Sequence, residues 1–153
     1  MHVLLITPTL PIPTSGGRTR LFNLIGQLAS RHKISVLSFI QPSELEMLSI
    51  LEPYCHHIEL VPFEGSEPLG RWRNRLQGWG RLLFSRRPPY AYTFPASEMR
   101  PVLLTLLQTR EFDVAVFEQL FLAELLDEVE VKGVPAILVE QNVESDIARK
   151  RYN

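Results

Sequence analysis

HVLLITPTLPIPTSGGRTR, residues 2–20, contains a strand, a loop and the start of a helix in that order. Residues 2–7 form a short apolar run of the kind that suits a strand buried on both faces of a sheet. Pro8, Pro11 and Pro13 then forbid helix and impose an extended loop. Beyond them Leu21, Leu24, Ile25 and Leu28 recur at helical spacing, which predicts a helix from about Gly17 to Arg31. One glycine suffices for a plain strand-to-helix turn. Gly16 and Gly17 followed by Arg18 and Arg20 ask for close backbone approach and positive charge in the same place.

The same rhythm continues outward. KISVLSFI (33–40) reads as a second strand, followed by a helix around 43–51 whose start Pro42 and Ser43 mark. HIELVPF (57–63), FDVAVFE (112–118) and VPAILVEQ (134–141) are three more strands, the last two separated by the helical LFLAELLDEV. Strands alternating with helices predict a parallel sheet with right-handed crossovers. The expected fold class is therefore α/β: a Rossmann-like parallel sheet of about five strands with helices on both faces. VESDIARKRYN begins a helix but has no glycine cap or following strand, so the sheet is expected to be incomplete at its C-terminal end.

At 153 residues and 45% hydrophobic, the chain can bury a core and form one domain. The formal charge of −1 conceals two electrical halves. Residues 71–110 hold eight arginines and one acid, Glu98, while residues 111–146 hold ten acids and one base, Lys132. Basic charge is carried by 13 Arg and only 3 Lys, which suits bidentate contacts to phosphate or carboxylate; a general arginine bias of composition explains it equally well. No nucleic acid is expected as a partner. Cys55 is alone, so no intrachain disulfide forms and a reducing compartment is expected. Its place before an apolar run predicts a buried, inert thiol. No apolar run is long enough to span a bilayer, and the start lacks a basic n-region. A cytoplasmic location, or one peripheral to the inner face of the membrane, is the expectation.

The middle segment, residues 64–110, lacks a strand signal and reads as a mostly helical, Arg/Trp-rich insertion broken by Pro88, Pro89 and Pro95. In GRWRNRLQGWGRLLFSRR (70–87), Trp72, Leu76, Trp79 and Leu83 fall on one helical stripe. Arg71 and Arg75 flank it, and Arg73 and Arg81 point away. Two readings fit this pattern. The stripe packs on the sheet with solvated arginines, or the segment meets an anionic membrane or acceptor as an interfacial helix.

In an open α/β sheet the chemistry gathers at the carboxyl ends of the strands. Three such ends carry polar groups. At the first, Gly16 and Gly17 let backbone N–H groups approach a ligand at a helix N-terminus, with Arg18 and Arg20 adding charge-assisted hydrogen bonds; a turn that needs glycine for its conformation alone is the other reading. The spacing matches neither the dinucleotide fingerprint nor a Walker loop. At the second, Glu118 and Gln119 can bond sugar hydroxyls or merely solvate a strand end. At the third, EQNVES (140–145), Asn142 can cap a helix and Glu144 suits its dipole.

Together these segments resemble the first domain of family 4 glycosyltransferases, which have the two-domain GT-B architecture. The resemblance rests on the proline-rich loop, the Gly-Gly-Arg turn, the helix carrying Asn23 and Leu24, the basic RHK before the second strand, and VEQNVES in place of an HNVES-like segment. It covers most of the chain except the middle. It implies an acceptor-binding domain whose Gly16–Gly17 loop, with Arg18 and Arg20, lies near the donor diphosphate across an interdomain cleft. It also implies a second, donor-binding domain that supplies a pair of glutamates and a basic pair, absent from these 153 residues. Glu118, Gln119, Gln141, Asn142 and Glu144 would complete the donor-diphosphate and acceptor site. Gln141 stands where the family often has His; it can hydrogen-bond but cannot titrate, which removes a proton-transfer role there. No metal or cofactor is implied beyond a nucleotide-diphosphate sugar as co-substrate, and the acceptor would be a glycan or lipid-linked. Taken alone, these residues are expected not to transfer sugar. Two other classes remain open: a non-catalytic Rossmann-like binding module that docks a partner through its acidic half, and a peripheral membrane-associated domain built around the Arg/Trp segment.

Overall fold

In the computed structural model, which describes residues 1–63 and 96–140, five parallel strands form one sheet in the order β3-β2-β1-β4-β5. They are β1 (His2–Thr7), β2 (Lys33–Ile40), β3 (His57–Pro62), β4 (Val114–Glu118) and β5 (Ala136–Val139). Helix α1 (Gly16–Ala29) joins β1 to β2, and helix α3 (Ala96–Thr109) precedes β4. Between β2 and β3 the chain forms a 3₁₀ segment (Pro42–Met47), the single-turn α2 (Leu48–Leu51) and a second 3₁₀ turn (Glu52–Tyr54). Between β4 and β5 lie a 3₁₀ segment (Leu120–Leu125) and α4 (Leu126–Glu130). The helices anticipated over 43–51 and in LFLAELLDEV are thus largely 3₁₀, the geometry of short connectors.

Period-two alternation sorts the strand residues between two cores. Leu4, Ile6, Leu37, Phe39, Ala115 and Phe117 face one side, packed with Met99, Leu103 and Leu106 of α3 and with Leu122, Leu125 and Val129. Leu5, Ile34, Val36 and Ile40 face the other, packed with Leu21 and Ile25 of α1, Leu51, and Leu10 and Ile12 of the proline loop. Helices therefore cover both faces, and β1, buried from Leu4 to Thr7, lies at the centre. This accounts for the continuous apolar run of β1 and the largely apolar run of β2, where an alternating pattern would mark a half-solvated sheet. At the margin, β5 leaves Ile137 and Leu138 exposed. Gly133, at φ 69°, ends α4 in the left-handed conformation that only glycine adopts without strain.

The anticipated strand β4 began at Phe112, but Asp113 instead uses its backbone N–H to reach His2 O at 2.9 Å. Its side-chain Oδ2 accepts from the His2 backbone N–H at 2.6 Å. Of the anticipated helical segment 64–110, only residues 96–110 lie among those described, and α3 occupies most of them. Among the described residues no helix is long and apolar enough to cross a membrane.

His2 is part-buried at the amino edge, its Nε2 paired with Ser35 Oγ at 2.8 Å. Burial, the largest cause, pushes its pKa below the ordinary 6.5. The folded state therefore holds fewer protons than the unfolded chain as pH falls through that value. The stabilising contribution is full above about pH 6.5 and is lost progressively below it, toward the depressed folded-state pKa. Urea unfolding midpoints are expected to drop between pH 7 and pH 5, with a smaller drop in His2→Gln; an equal drop in the variant would clear His2 of any part in it.

Candidate functional site

The strand order reverses direction at β1: the chain runs to β2 and β3 on one side and to β4 and β5 on the other. Beyond the carboxyl ends of β1 and β4 this leaves a crevice, the place where open α/β sheets bind ligands. A cleft of about 340 Å³ occupies it, lined by Thr7, Pro8, Ser15, Gly17, Arg18, Glu118 and Gln119. Two of the three polar strand ends singled out by sequence therefore meet at one cleft.

The loop from Pro8 to Ser15 is pinned. Leu10 and Ile12 are fully buried, and tight turns link Ile12 N–H to Leu10 O (2.9 Å) and Thr14 N–H to Ile12 O (2.8 Å). Helix α1 then begins at Gly16 with Ser15 as its N-cap, in extended conformation and without a side-chain capping bond. No acid lies in its first turn. The first N–H groups of this helix thus present partial positive charge that Ser15 does not take up. Among the described residues Gly133 is the glycine with positive φ, so backbone conformation does not require glycine at 16 or 17. A Cβ added at Gly16 would meet nothing within 4 Å. Among the described residues neither φ nor packing requires glycine at 16, and the start of α1 is open.

The two arginines are placed differently. Arg18 is part of the scaffold: its Nε donates to Leu10 O at 2.7 Å and its Nη2 to Glu44 Oε1 at 2.5 Å. Glu44 also accepts the Gln41 backbone N–H at 3.0 Å, closing a capping box at the start of the 3₁₀ segment. Arg20 reaches across the crevice, its Nη2 donating to both Glu118 oxygens at 3.2 and 2.9 Å. Its side chain is 47% exposed against 2% for Glu118. The Nε and Nη1 of Arg20 make no hydrogen bond among the described residues.

Gln119 holds φ at 96°, in the left-handed half of conformational space, which is strained for a residue with a Cβ. Its N–H bonds Val139 O at 2.9 Å and its carbonyl accepts Leu122 N–H at 3.2 Å, so sheet pairing and the following turn enforce the strain. Backbone strain of this kind concentrates at ligand sites.

Gly16, Gly17, Arg18, Arg20, Glu118 and Gln119 thus lie in or beside one crevice. Gln141, Asn142 and Glu144 lie outside the described residues, as do Arg71, Trp72, Arg73, Arg75, Trp79 and Arg81. Sequence reading missed Thr7, buried at the end of β1 with its Oγ1 donating to Thr9 O at 3.0 Å. A hydroxyl closing an apolar strand was the available signal. It also missed Glu44, which carries no local mark of its role. Cys55 is half-buried and its thiol is pushed up to about 12 by burial, so it is inert at neutral pH. Among the described residues no group of three or more His, Cys, Asp or Glu could hold a metal ion.

No protein-family model matches the chain, and no curated protein matches it. Its fold is similar to that of the C-terminal domain (residues 78–226) of PF1911 hydrogenase from Pyrococcus furiosus. That likeness has a TM-score of 0.58 at 12% identity and covers 91% of this chain and 90% of that one. A second structure of that domain (residues 83–215) gives a TM-score of 0.59, also at 12% identity, over 90% of each chain. The fold is also similar to part of TcCGT1, solved in complex with UDP, with a TM-score of 0.58 at 12% identity. That likeness covers 99% of this chain but 30% of TcCGT1. At such identities the likeness is one of fold alone, a Rossmann-like open parallel sheet.

Proposed function

We propose that this chain is the acceptor-side domain of a glycosyltransferase that moves a sugar from a nucleotide-diphosphate donor to a glycan or lipid-linked acceptor. The observation that carries the reading is the uncapped, glycine-built start of α1 opening onto the switch-point cleft beside Arg20 and Gln119. A diphosphate suits the helix N-terminus and the free Arg20 donors. The Glu118 carboxylate holds that guanidinium in place, and the Gln119 side chain supplies a neutral hydrogen-bonding group for a sugar hydroxyl. The likeness to TcCGT1, whose structure holds UDP, supports the fold part of this reading. A second domain would supply most donor contacts and close the cleft, so that charge on the departing diphosphate is stabilised in a site shielded from water. Gln141, Asn142 and Glu144 would join the same site, and the Arg/Trp segment 70–87 would meet an anionic or membrane-borne acceptor.

A second reading, a non-catalytic binding module, draws on the PF1911 domain, which matches this chain over nearly its own full length within a protein described as a hydrogenase.

Gly16→Ala and Gly16→Glu separate the two. Because a Cβ at Gly16 has open space, Gly16→Ala is expected to hold stability within about 0.5 kcal/mol. Gly16→Glu places a carboxylate at the helix N-terminus and is expected to raise stability by about 0.3–1 kcal/mol. Both should weaken UDP binding measured by calorimetry, the glutamate variant by roughly tenfold or more through direct competition for the N–H groups. Unchanged UDP affinity in Gly16→Glu would favour the binding module.

A further inference from the structure

Two histidines at the amino edge of the sheet are held in opposite ways. At His2, Nε2 meets Ser35 Oγ at 2.8 Å, and the ring also bonds the Glu111 backbone. A hydroxyl donates or accepts, so Ser35 turns to suit either charge state of that ring. His57 lies level with Ser35 in the β2–β3 register. Its Nε2 is 3.0 Å from Glu59 Oε2 and its Nδ1 is 3.2 Å from Arg110 Nη2. A guanidinium has donors and no acceptor. The contact with Arg110 is therefore a hydrogen bond only when Nδ1 offers its lone pair. The ring's hydrogen then sits on Nε2, where the Glu59 carboxylate accepts it. Both partners select the same neutral tautomer.

The position left for a second proton is Nδ1, the atom that Arg110 uses. Adding it turns that bond into a contact between two cations, donor against donor, while the bond to Glu59 persists as an ion pair. The other charged or titratable groups of this edge are His2, His56, Lys33, Glu111 and Asp113. His56 stands edge-on to His2, with ring centroids 5.4 Å apart, and Asp113 Oδ2 is engaged by the His2 backbone N–H at 2.6 Å. Among the described residues none of the five bonds the side chain of His57 or Arg110. Arg110 follows the last turn of α3, its N–H donating to Leu106 O at 2.9 Å. The bond to His57 thus ties the end of α3 to the start of β3.

We propose that His57 and Arg110 form a proton-operated clasp between α3 and β3, closed when the imidazole is neutral and opened when Nδ1 takes a proton. The ligand is the proton itself, which imidazole exchanges near neutral pH. The clasp lies at the opposite end of the strands from the switch-point cleft and does not depend on the glycosyltransferase reading.

The test is an NMR titration of the full chain between about pH 8 and pH 5, the span in which imidazole titrates, reading the His57 ring nitrogens and the Arg110 guanidinium. At the upper end the His57 hydrogen is expected on Nε2. On acidification the Arg110 signals should move with the same midpoint as the His57 ring. Corrected for intrinsic pH dependence, the guanidinium should lose about fivefold in protection against exchange, the worth of one ordinary hydrogen bond. In Arg110→Ala the His57 midpoint should move to higher pH, because the ring loses both the bond that favours its neutral form and the charge that opposes a second proton. In His57→Gln, whose amide oxygen accepts from Arg110 at any pH, the Arg110 signals should stay in place. In His2→Gln they should respond as in the unmodified chain. A neutral His57 ring with its hydrogen on Nδ1, or an unmoved midpoint in Arg110→Ala, would overturn the proposal. An Arg110 response that persists in His57→Gln or vanishes in His2→Gln would overturn it as well. Neither His57 nor Arg110 is buried, so their substitution leaves both apolar cores intact.

Discussion

Phe117→Ala is expected to cost about 3–5 kcal/mol of folding stability. Phe117 is fully buried on β4 and pairs in register with Ile6 of the central strand. On its face of the sheet it belongs to the core that joins β1 and β2 to α3 and to the segment after β4. Alanine would leave a cavity walled by strands on one side and by helices on the other, with little freedom to collapse. A domain of this size is typically stable by about 5–15 kcal/mol, so the variant should unfold at markedly lower denaturant. A loss under about 1 kcal/mol, the level of an ordinary surface change, would mean that Phe117 does not occupy this core. Leu120→Ala, at an exposed position three residues on, serves as the control and should change stability by less than about 0.5 kcal/mol.

The second large effect concerns the ion pair that crosses the crevice. Glu118 is buried at 1% exposure and its carboxylate takes both hydrogen bonds from Arg20. Removing one member of a buried pair typically costs about 3–5 kcal/mol, because the other charge stays desolvated. Arg20 is half exposed, so water can partly replace it, and Glu118 has a further interaction besides this pair. The expected cost of Arg20→Ala is therefore smaller, about 2 kcal/mol. Glu118→Gln in the Arg20→Ala background should recover most of that loss, since no charge is then buried without its partner. A double-mutant cycle by chemical denaturation reads this coupling. Additive losses would show that the pair is not energetically linked and that Glu118 does not position Arg20.

How far the sequence reaches is plain from particular elements. LLI in β1 is an uninterrupted apolar run and ISVLSFI in β2 an apolar run broken only by Ser35 and Ser38, and the structure buries both on both faces. Their parallel, central place follows from that pattern alone. The connectors are less legible: SELEM and LFLAEL carry helix-forming residues, yet tertiary packing holds them as 3₁₀ segments. The glycine loop and the Glu118-Gln119 strand end were readable because polar and glycine residues interrupt apolar runs where a sheet ends. Their convergence was not. It depends on the strand order that sets β4 beside β1, and therefore on contacts such as Arg20 with Glu118, 98 residues apart. Arg18 lines the cleft and also braces the loop through Glu44, 26 residues on, a contact that no local pattern announces. The positive φ of Gln119 has no sequence signal, because the strain is imposed by β5 and the following turn.

The most direct test of the central claim is a UDP titration of the isotope-labelled chain, followed through its backbone amides. Saturable shifts at Gly16, Gly17, Arg18 and Gln119, lost in Gly16→Glu, are the predicted result. They would show the switch-point crevice receiving a nucleoside diphosphate at the start of α1. Saturable binding whose shifts leave these four amides unmoved, or that survives unchanged in Gly16→Glu, would contradict the glycosyltransferase reading.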